Sequence, residues 1–188
     1  MKVLLVKPNP SKQSINLQSF MICEPLELEY CLALLDKMGH ESDIVDLIID
    51  KNFPKALKAA KYDVVAFTAY QIHIGIVKKY AAYVKKHYPS VITLVGGVQA
   101  EVVPESFEDD NIDVILTGGL TALEEVIRGI EGKLPIEKLK ELGRTPRCKN
   151  FDFPYPDRAK TARYRKHYNY IFHDECATIK TSFSCAYD

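Results

Sequence analysis

The sequence lacks any apolar run long enough to cross a bilayer. Its longest stretches without a charged side chain, Val64 to Val77 and His87 to Ala100, are 14 residues each, short of the roughly 18 that a membrane span requires. A secretory leader is not expected either. Met1-Lys-Val-Leu-Leu-Val-Lys7 is a short apolar run closed by lysine, without the longer apolar core and small-residue cleavage site of a signal peptide, so a cytoplasmic protein is expected. The five cysteines (Cys23, Cys31, Cys148, Cys176 and Cys185) are odd in number and include no C-x-x-C pair, which argues against a disulfide framework and a zinc ribbon. Net charge is absent too, with 25 basic against 25 acidic residues. With 47% apolar and 27% charged residues, the composition is that of a globular protein and excludes disorder and collagen-like repeats.

Charge is nevertheless unevenly placed. Residues 1 to 135 carry 14 basic and 18 acidic side chains, and residues 136 to 188 carry 11 and 7. The composition therefore shifts near Pro135, and 188 residues suffice for one full domain plus an appendage. This predicts an α/β domain over 1–135 and a linker tail over 136–188. The one basic and aromatic stretch, Arg158 to Lys166 among Tyr155, Tyr164, Tyr168 and Tyr170, is too short for a nucleic-acid stripe. Its aromatics are expected to dock on protein, with the cationic heads left in water. No nucleic-acid partner is expected.

Short β-branched runs alternate with helical periodicity along the chain. Lys2 to Lys7, Ile44 to Ile49, Asp63 to Thr68, Val91 to Val95 and Asp113 to Leu116 read as strands buried on both faces. Between them, Leu28, Cys31, Leu32 and Leu35, then Val77, Tyr80, Ala81 and Val84, then Leu123, Val126, Ile127 and Ile130 follow the i, i+3, i+4, i+7 rule of amphipathic helices. Shorter helices are predicted at Pro54 to Ala60 and Glu101 to Phe107. Five strands with right-handed crossovers make a doubly wound, Rossmann-like parallel sheet, here expected in the flavodoxin-like order 2-1-3-4-5. Ligands of such sheets sit beyond the carboxyl ends of the strands.

The loops at those ends lack the common phosphate fingerprints. There is no G-x-G-x-x-G, no Walker-type glycine loop and no acidic phosphoacceptor after the third strand. What is there is a long first loop beginning Lys7-Pro8-Asn9-Pro10, and Thr68-Ala-Tyr70-Gln71-Ile-His73 after the third strand, which offers hydrogen-bonding tips to a ligand. Two glycine pairs follow, Gly96-Gly97 before Val98-Gln99, and Gly118-Gly119. Adjacent strand ends stripped of side chains suit an extended ligand lying close to backbone.

These features resemble the cobalamin-binding domain that precedes radical S-adenosylmethionine catalytic domains. The resemblance rests on Lys2-Val-Leu-Leu-Val-Lys-Pro8, Pro25-Leu-Glu-Leu-Glu-Tyr30, Gly39-His40, Asp46, Val64-Val-Ala-Phe-Thr68, Leu94-Val-Gly-Gly97 with Pro104-Glu105, and Asp113-Val114 with Thr117-Gly-Gly119. The end of the chain, Ile179-Lys-Thr-Ser-Phe-Ser-Cys185-Ala-Tyr-Asp188, is similar to the first strand of a radical S-adenosylmethionine barrel entering its C-x-x-x-C-x-x-C motif. Cys185 would be the first cluster cysteine, and the chain would be cut inside a larger enzyme.

The resemblance implies cobalamin as cofactor, with a 4Fe–4S cluster and S-adenosylmethionine in the full-length parent and the radical domain as a partner in cis. Thr68 matches the family's tail-binding hydroxyl, and Gly96 and Gly97 match the glycine pair that lets the nucleotide tail pass. Asn9, Tyr70, Gln71, His73, Val98, Gln99, Gly118 and Gly119 complete the expected cofactor site. The chain departs from the family at the fifth strand, where the usual glutamates are missing, and after the first strand, where D-x-H-x-x-G is absent. The cobalt would then have no protein histidine below it. The expected function is cofactor binding within a methyltransferase that takes methyl from methylcobalamin; the fragment alone would be inactive. The alternatives are a radical cyclase or other non-methylating parent, or an interaction module that has lost its cofactor.

Overall fold

In the computed structural model, which describes residues 1–11, 20–146 and 154–181, the first strand is buried on both faces. In β1 (Lys2–Lys7), Val3 and Leu5 join one apolar core while Leu4 and Val6 join the other, as the two-residue period of a strand requires. The following elements are β2 (Met21–Ile22), α1 (Leu26–Lys37), β3 (Glu41–Asp46), α2 (Phe53–Leu57), β4 (Val64–Thr68), α3 (Ile74–His87), β5 (Ile92–Gly96) and α4 (Val98–Val102). After them come β6 (Val114–Ile115), α5 (Gly119–Glu131), α6 (Ile136–Gly143), β7 (Asn169–Tyr170) and β8 (His173–Asp174). The main sheet runs β3-β1-β4-β5-β6, all parallel, which is the expected 2-1-3-4-5 when only its own strands are counted. Helices α1 and α5 cover the face of Val3, Leu5, Ala66 and Leu94; α2 and α3 cover the face of Leu4, Val6, Val65 and Phe67.

Several elements differ from the periodicity reading. The second sheet strand begins at Glu41 and ends at Asp46, not at Ile44 to Ile49. Backbone pairing decides this. Lys2 to Lys7 match Glu41 to Asp46 one for one, and the Asp46 carboxylate then accepts from Ile48 N at 3.0 Å to turn the chain. An apolar run thus marked the strand's end and the turn, not its start. The predicted helix at Glu101 to Phe107 is α4, starting directly after Gly97, followed by a separate 3-10 turn at Pro104–Phe107. Pro104 lacks the N–H needed to continue α4.

Both edges of the main sheet are covered by the segment after Pro135. On the β6 side, α6 packs so close that a Cβ on Gly143 would lie 2.6 Å from Ile115 O, and Thr117 N donates to Gly143 O at 2.8 Å. On the β3 side, Lys160 Nζ donates to Ser42 O at 2.6 Å and Arg163 Nη2 to Ile44 O at 2.8 Å. Unpaired edge carbonyls are thereby satisfied by cations. This corrects the expectation for the basic stretch. Tyr164 and Tyr168 dock and are buried, Tyr155 and Tyr170 stay exposed, and Lys160 and Arg163 bind backbone in addition to facing water. A small antiparallel sheet, β2-β7-β8, ties the tail to the segment before α1.

Candidate functional site

Side chains shrink toward the carboxyl ends of the two central strands, on one face only. Along β4 that face carries Val64, Ala66 and Thr68; along β5 it carries Ile92, Leu94 and Gly96. The two-residue period stacks the small members together. Helices α1 and α5 meanwhile keep full-sized residues over this face, including Leu28, Cys31, Leu120 and Leu123. The space between becomes a cavity of about 470 Å³ opening at the strand ends, a size suited to a small-molecule group.

Thr68 stands where this cavity meets the strand end. Its Oγ1 is buried and has no hydrogen-bond partner among the described residues. A buried hydroxyl left unpaired costs about 1–3 kcal/mol, and Thr68 Oγ1 is the one such atom on a residue of the cavity lining among the described residues. Gly97 sits beside it with φ +95°. A Cβ there would lie 2.8 Å from Thr68 Oγ1 and 2.9 Å from Ala69 N, so only glycine lets the β5 end pass the β4 end. Gly96 is different: a Cβ there would meet Leu116 at an ordinary 3.5 Å, and would protrude toward the cavity.

The rim is polar. Tyr70 Oη donates to Glu27 Oε1 at 2.8 Å, and burial, followed by the Glu27 carboxylate, holds the phenol above its usual range. Cys31 is pushed up to about 12 by burial and remains a thiol. Across the mouth runs Thr178-Ile179-Lys180 of the C-terminal tail. Thr178 N donates to Glu24 Oε2 at 3.0 Å, and Arg158 bridges Glu24 Oε2 (2.9 Å) and Thr178 O (2.8 Å).

Of the residues singled out in the sequence, the fold brings Thr68, Tyr70, Gly96, Gly97, Val98 and Gly119 to the cavity lining. Asn9, Gln71, His73, Gln99 and Gly118 are placed elsewhere. Asn9 Oδ1 accepts from Tyr80 Oη at 2.6 Å, and Gln99 Nε2 lies 3.5 Å from Ser106 Oγ. Gln71 is exposed in a 3-10 turn. Gly118 is occupied by chain packing, since a Cβ there would overlap Thr145 O at 1.8 Å. His73 is buried, with Nδ1 accepting from Tyr70 N at 3.2 Å. Burial first and Lys7 second lower its pKa to about 4, so it is a neutral imidazole with one nitrogen committed. Cys185 lies outside the described residues. Among the described residues no group of three or more His, Cys, Asp or Glu could hold a metal ion, and no helix is long and apolar enough to cross a membrane.

Sequence reasoning missed Leu5, Ala66 and the walls supplied by α1 and α5. The signal for Ala66 was available: with Thr68 and Gly96 it forms a same-face set of small residues two apart on neighbouring strands.

Comparison with known proteins bears on the fold and the family. Over its whole length the chain is 30% identical to hopanoid C-3 methylase of Methylococcus capsulatus, of which it spans only 38%. Two solved structures of the radical S-adenosylmethionine methyltransferase TsrM from Kitasatospora setae share the fold, each at a TM-score of 0.53 and 18% identity. One holds tryptophan substrate and a SAM analog, the other cobalamin and a 4Fe–4S cluster. The alignments cover 71% of this chain and 26% and 25% of those chains. A family model described as B12 binding domain matches residues 14–127. With more than half of its length matched, the chain belongs to the B12-binding domain family.

Proposed function

We propose that the cavity under α1 and α5 receives the nucleotide tail of cobalamin, and that the chain is the cofactor-holding part of a radical S-adenosylmethionine methyltransferase. The observation that carries this reading is Thr68 Oγ1, a buried hydroxyl without a partner, facing a largely apolar cavity. An apolar slot with one orphan hydroxyl fits the tail's heteroaromatic base and its polar linkage. Gly97 lets the neighbouring backbone approach, and Gly96 keeps the slot open. Cobalamin supplies, when bound, a cobalt–carbon bond from which a methyl group can be transferred.

The chain's residues act by holding and shielding. Leu28, Leu120 and Leu123 exclude water from the slot. Tyr70, fixed by Glu27, stands at the rim and would help to hold the cofactor there. His73 is not among the lining residues and has its Nδ1 engaged, so protein-histidine ligation of cobalt is not expected. The methyl transfer itself, and the cluster that Cys185 would help to hold, belong to the parent enzyme in this proposal. The relatives named above support it.

The test is a titration of the chain with hydroxocobalamin, followed in the visible spectrum and by retention through gel filtration. Cobalamin retained with its own base displaced from cobalt, and with a spectrum unchanged in His73→Gln, is the expected result. Loss of all cobalamin on the column would overturn the reading.

A further inference from the structure

The part of the cavity sunk against the sheet offers a ligand very little to bond to. Among the described residues that line it, the buried ones are aliphatic or aromatic apart from Glu24 and Thr68. Glu24 is committed to Arg158 at 2.9 Å and to Thr178 N at 3.0 Å. At the rim Tyr70 and Glu27 bind each other, and Tyr30, Glu101 and Lys180 have interactions of their own. The half-buried Cys31 brings only a thiol, a weak donor and acceptor. The sheet itself is closed to a ligand as well: Ala66 is laddered to Leu5 on β1 and to Leu94 on β5, so the peptide groups of β4 are used between strands. Thr68 Oγ1 is thus the one buried lining side-chain atom without a partner among the described residues. Ala66 lies one strand period deeper on the same face, and its methyl adds neither bulk nor polarity there.

Polarity then decides which heteroaromatic base can enter. A benzimidazole free of cobalt exposes one ring nitrogen, which a single hydroxyl can serve. Adenine, also a fused five- and six-membered ring, carries an exocyclic amine and further ring nitrogens, and each one buried unpaired loses its water without replacement. Resting on the reading above, we infer that the slot selects among cobamides by their base: it takes a benzimidazole nucleotide and turns away purine nucleotides, and Ala66 is the residue that sets the choice. An apolar wall rejects a ligand of matching shape only through such unpaired groups, which puts the discrimination at about tenfold to a hundredfold.

The experiment uses the full 188-residue chain as wild type and as Ala66→Ser. Each is titrated with hydroxocobalamin, with the hydroxo form of the adenine cobamide, which shares its corrin ring and phosphodiester, and with hydroxocobinamide, which lacks the nucleotide. Wild type is expected to bind cobalamin about tenfold to a hundredfold more tightly than the adenine cobamide. Ala66→Ser places a second hydroxyl in the slot with little added volume, and is expected to shrink that preference about threefold or more, with cobinamide binding unaltered and a thermal melt confirming that it folds. The energy of freeing each base from cobalt belongs to the cobamide alone and cancels between the two proteins. Equal binding of the two cobamides by wild type, both tighter than cobinamide, overturns the selectivity while the cofactor reading stands. A preference that Ala66→Ser leaves unchanged overturns the role of Ala66. Wild type that binds no cobalamin overturns both the selectivity and the cofactor reading.

Discussion

Thr68 carries a buried hydroxyl with no partner among the described residues. Replacing it by valine keeps the shape and deletes the orphan hydroxyl, so Thr68→Val is expected to leave the ligand-free protein at least as stable, with a gain of up to about 1 kcal/mol, and to weaken cobalamin about tenfold. Urea melts and titration read the two effects separately. Glycines 96 and 97 part company in the same way. Gly97→Ala places a Cβ against Thr68 and Ala69 at positive φ and is expected to destabilise by more than about 1 kcal/mol, whereas Gly96→Ala should fold normally and lose cofactor. Glu29 gives a pH signature. It is fully buried on α1, and burial, with Glu24 nearby, raises its carboxyl to about 7 against the effect of Thr161 and Arg158. A raised acid keeps its proton in the fold after the unfolded chain has lost it, so its contribution to stability falls as pH rises from about 4.5 to about 7. His73, depressed to about 4, acts oppositely, and Asp46, raised by burial, acts with Glu29. The difference between wild type and Glu29→Gln isolates one group: the variant should gain relative stability from pH 5 to 7 and then level off. A pH-independent difference in parallel melts would contradict this.

At the scale of elements, what could be read in advance was whatever lies in short-range pattern. The doubly buried strands β1 and β4, and helices α1, α3 and α5, announce themselves by apolar spacing, and their order follows from right-handed crossovers. Elements set by long-range pairing stayed hidden. β3 starts in Glu41-Ser-Asp43 because β1 offers it a partner there, and nothing local distinguishes those residues from loop. Helix α6 exists as an edge cover, with Leu139 buried beneath it and Gly143 against Ile115. Gly143→Ala should therefore destabilise the whole sheet domain and not merely fray a tail. Thermal melts followed through the main transition check this; an unchanged midpoint would detach α6 from the domain. The cavity was half legible for the same reason. The glycine pairs and Thr68 stand out in sequence, but Gly118 proved to serve chain packing, and the α1 and α5 walls required the fold.

The molecule as a whole joins a cavity at the strand ends to a C-terminal tail whose Thr178, Ile179 and Lys180 line it. Residues from β1, α1, β4, β5 and α5 line the cavity together with those of the C-terminal tail. The chain spans 38% of its methylase relative, and in sequence Lys180 precedes Cys185 by five positions. In the proposed function the chain recognises the nucleotide tail and not the corrin ring. Parallel titrations of wild type with hydroxocobalamin and hydroxocobinamide address it most directly. Cobalamin is expected to bind at least tenfold more tightly, with Thr68→Val erasing most of that difference. Equal affinity for the two corrinoids, with or without the Thr68 hydroxyl, would contradict it.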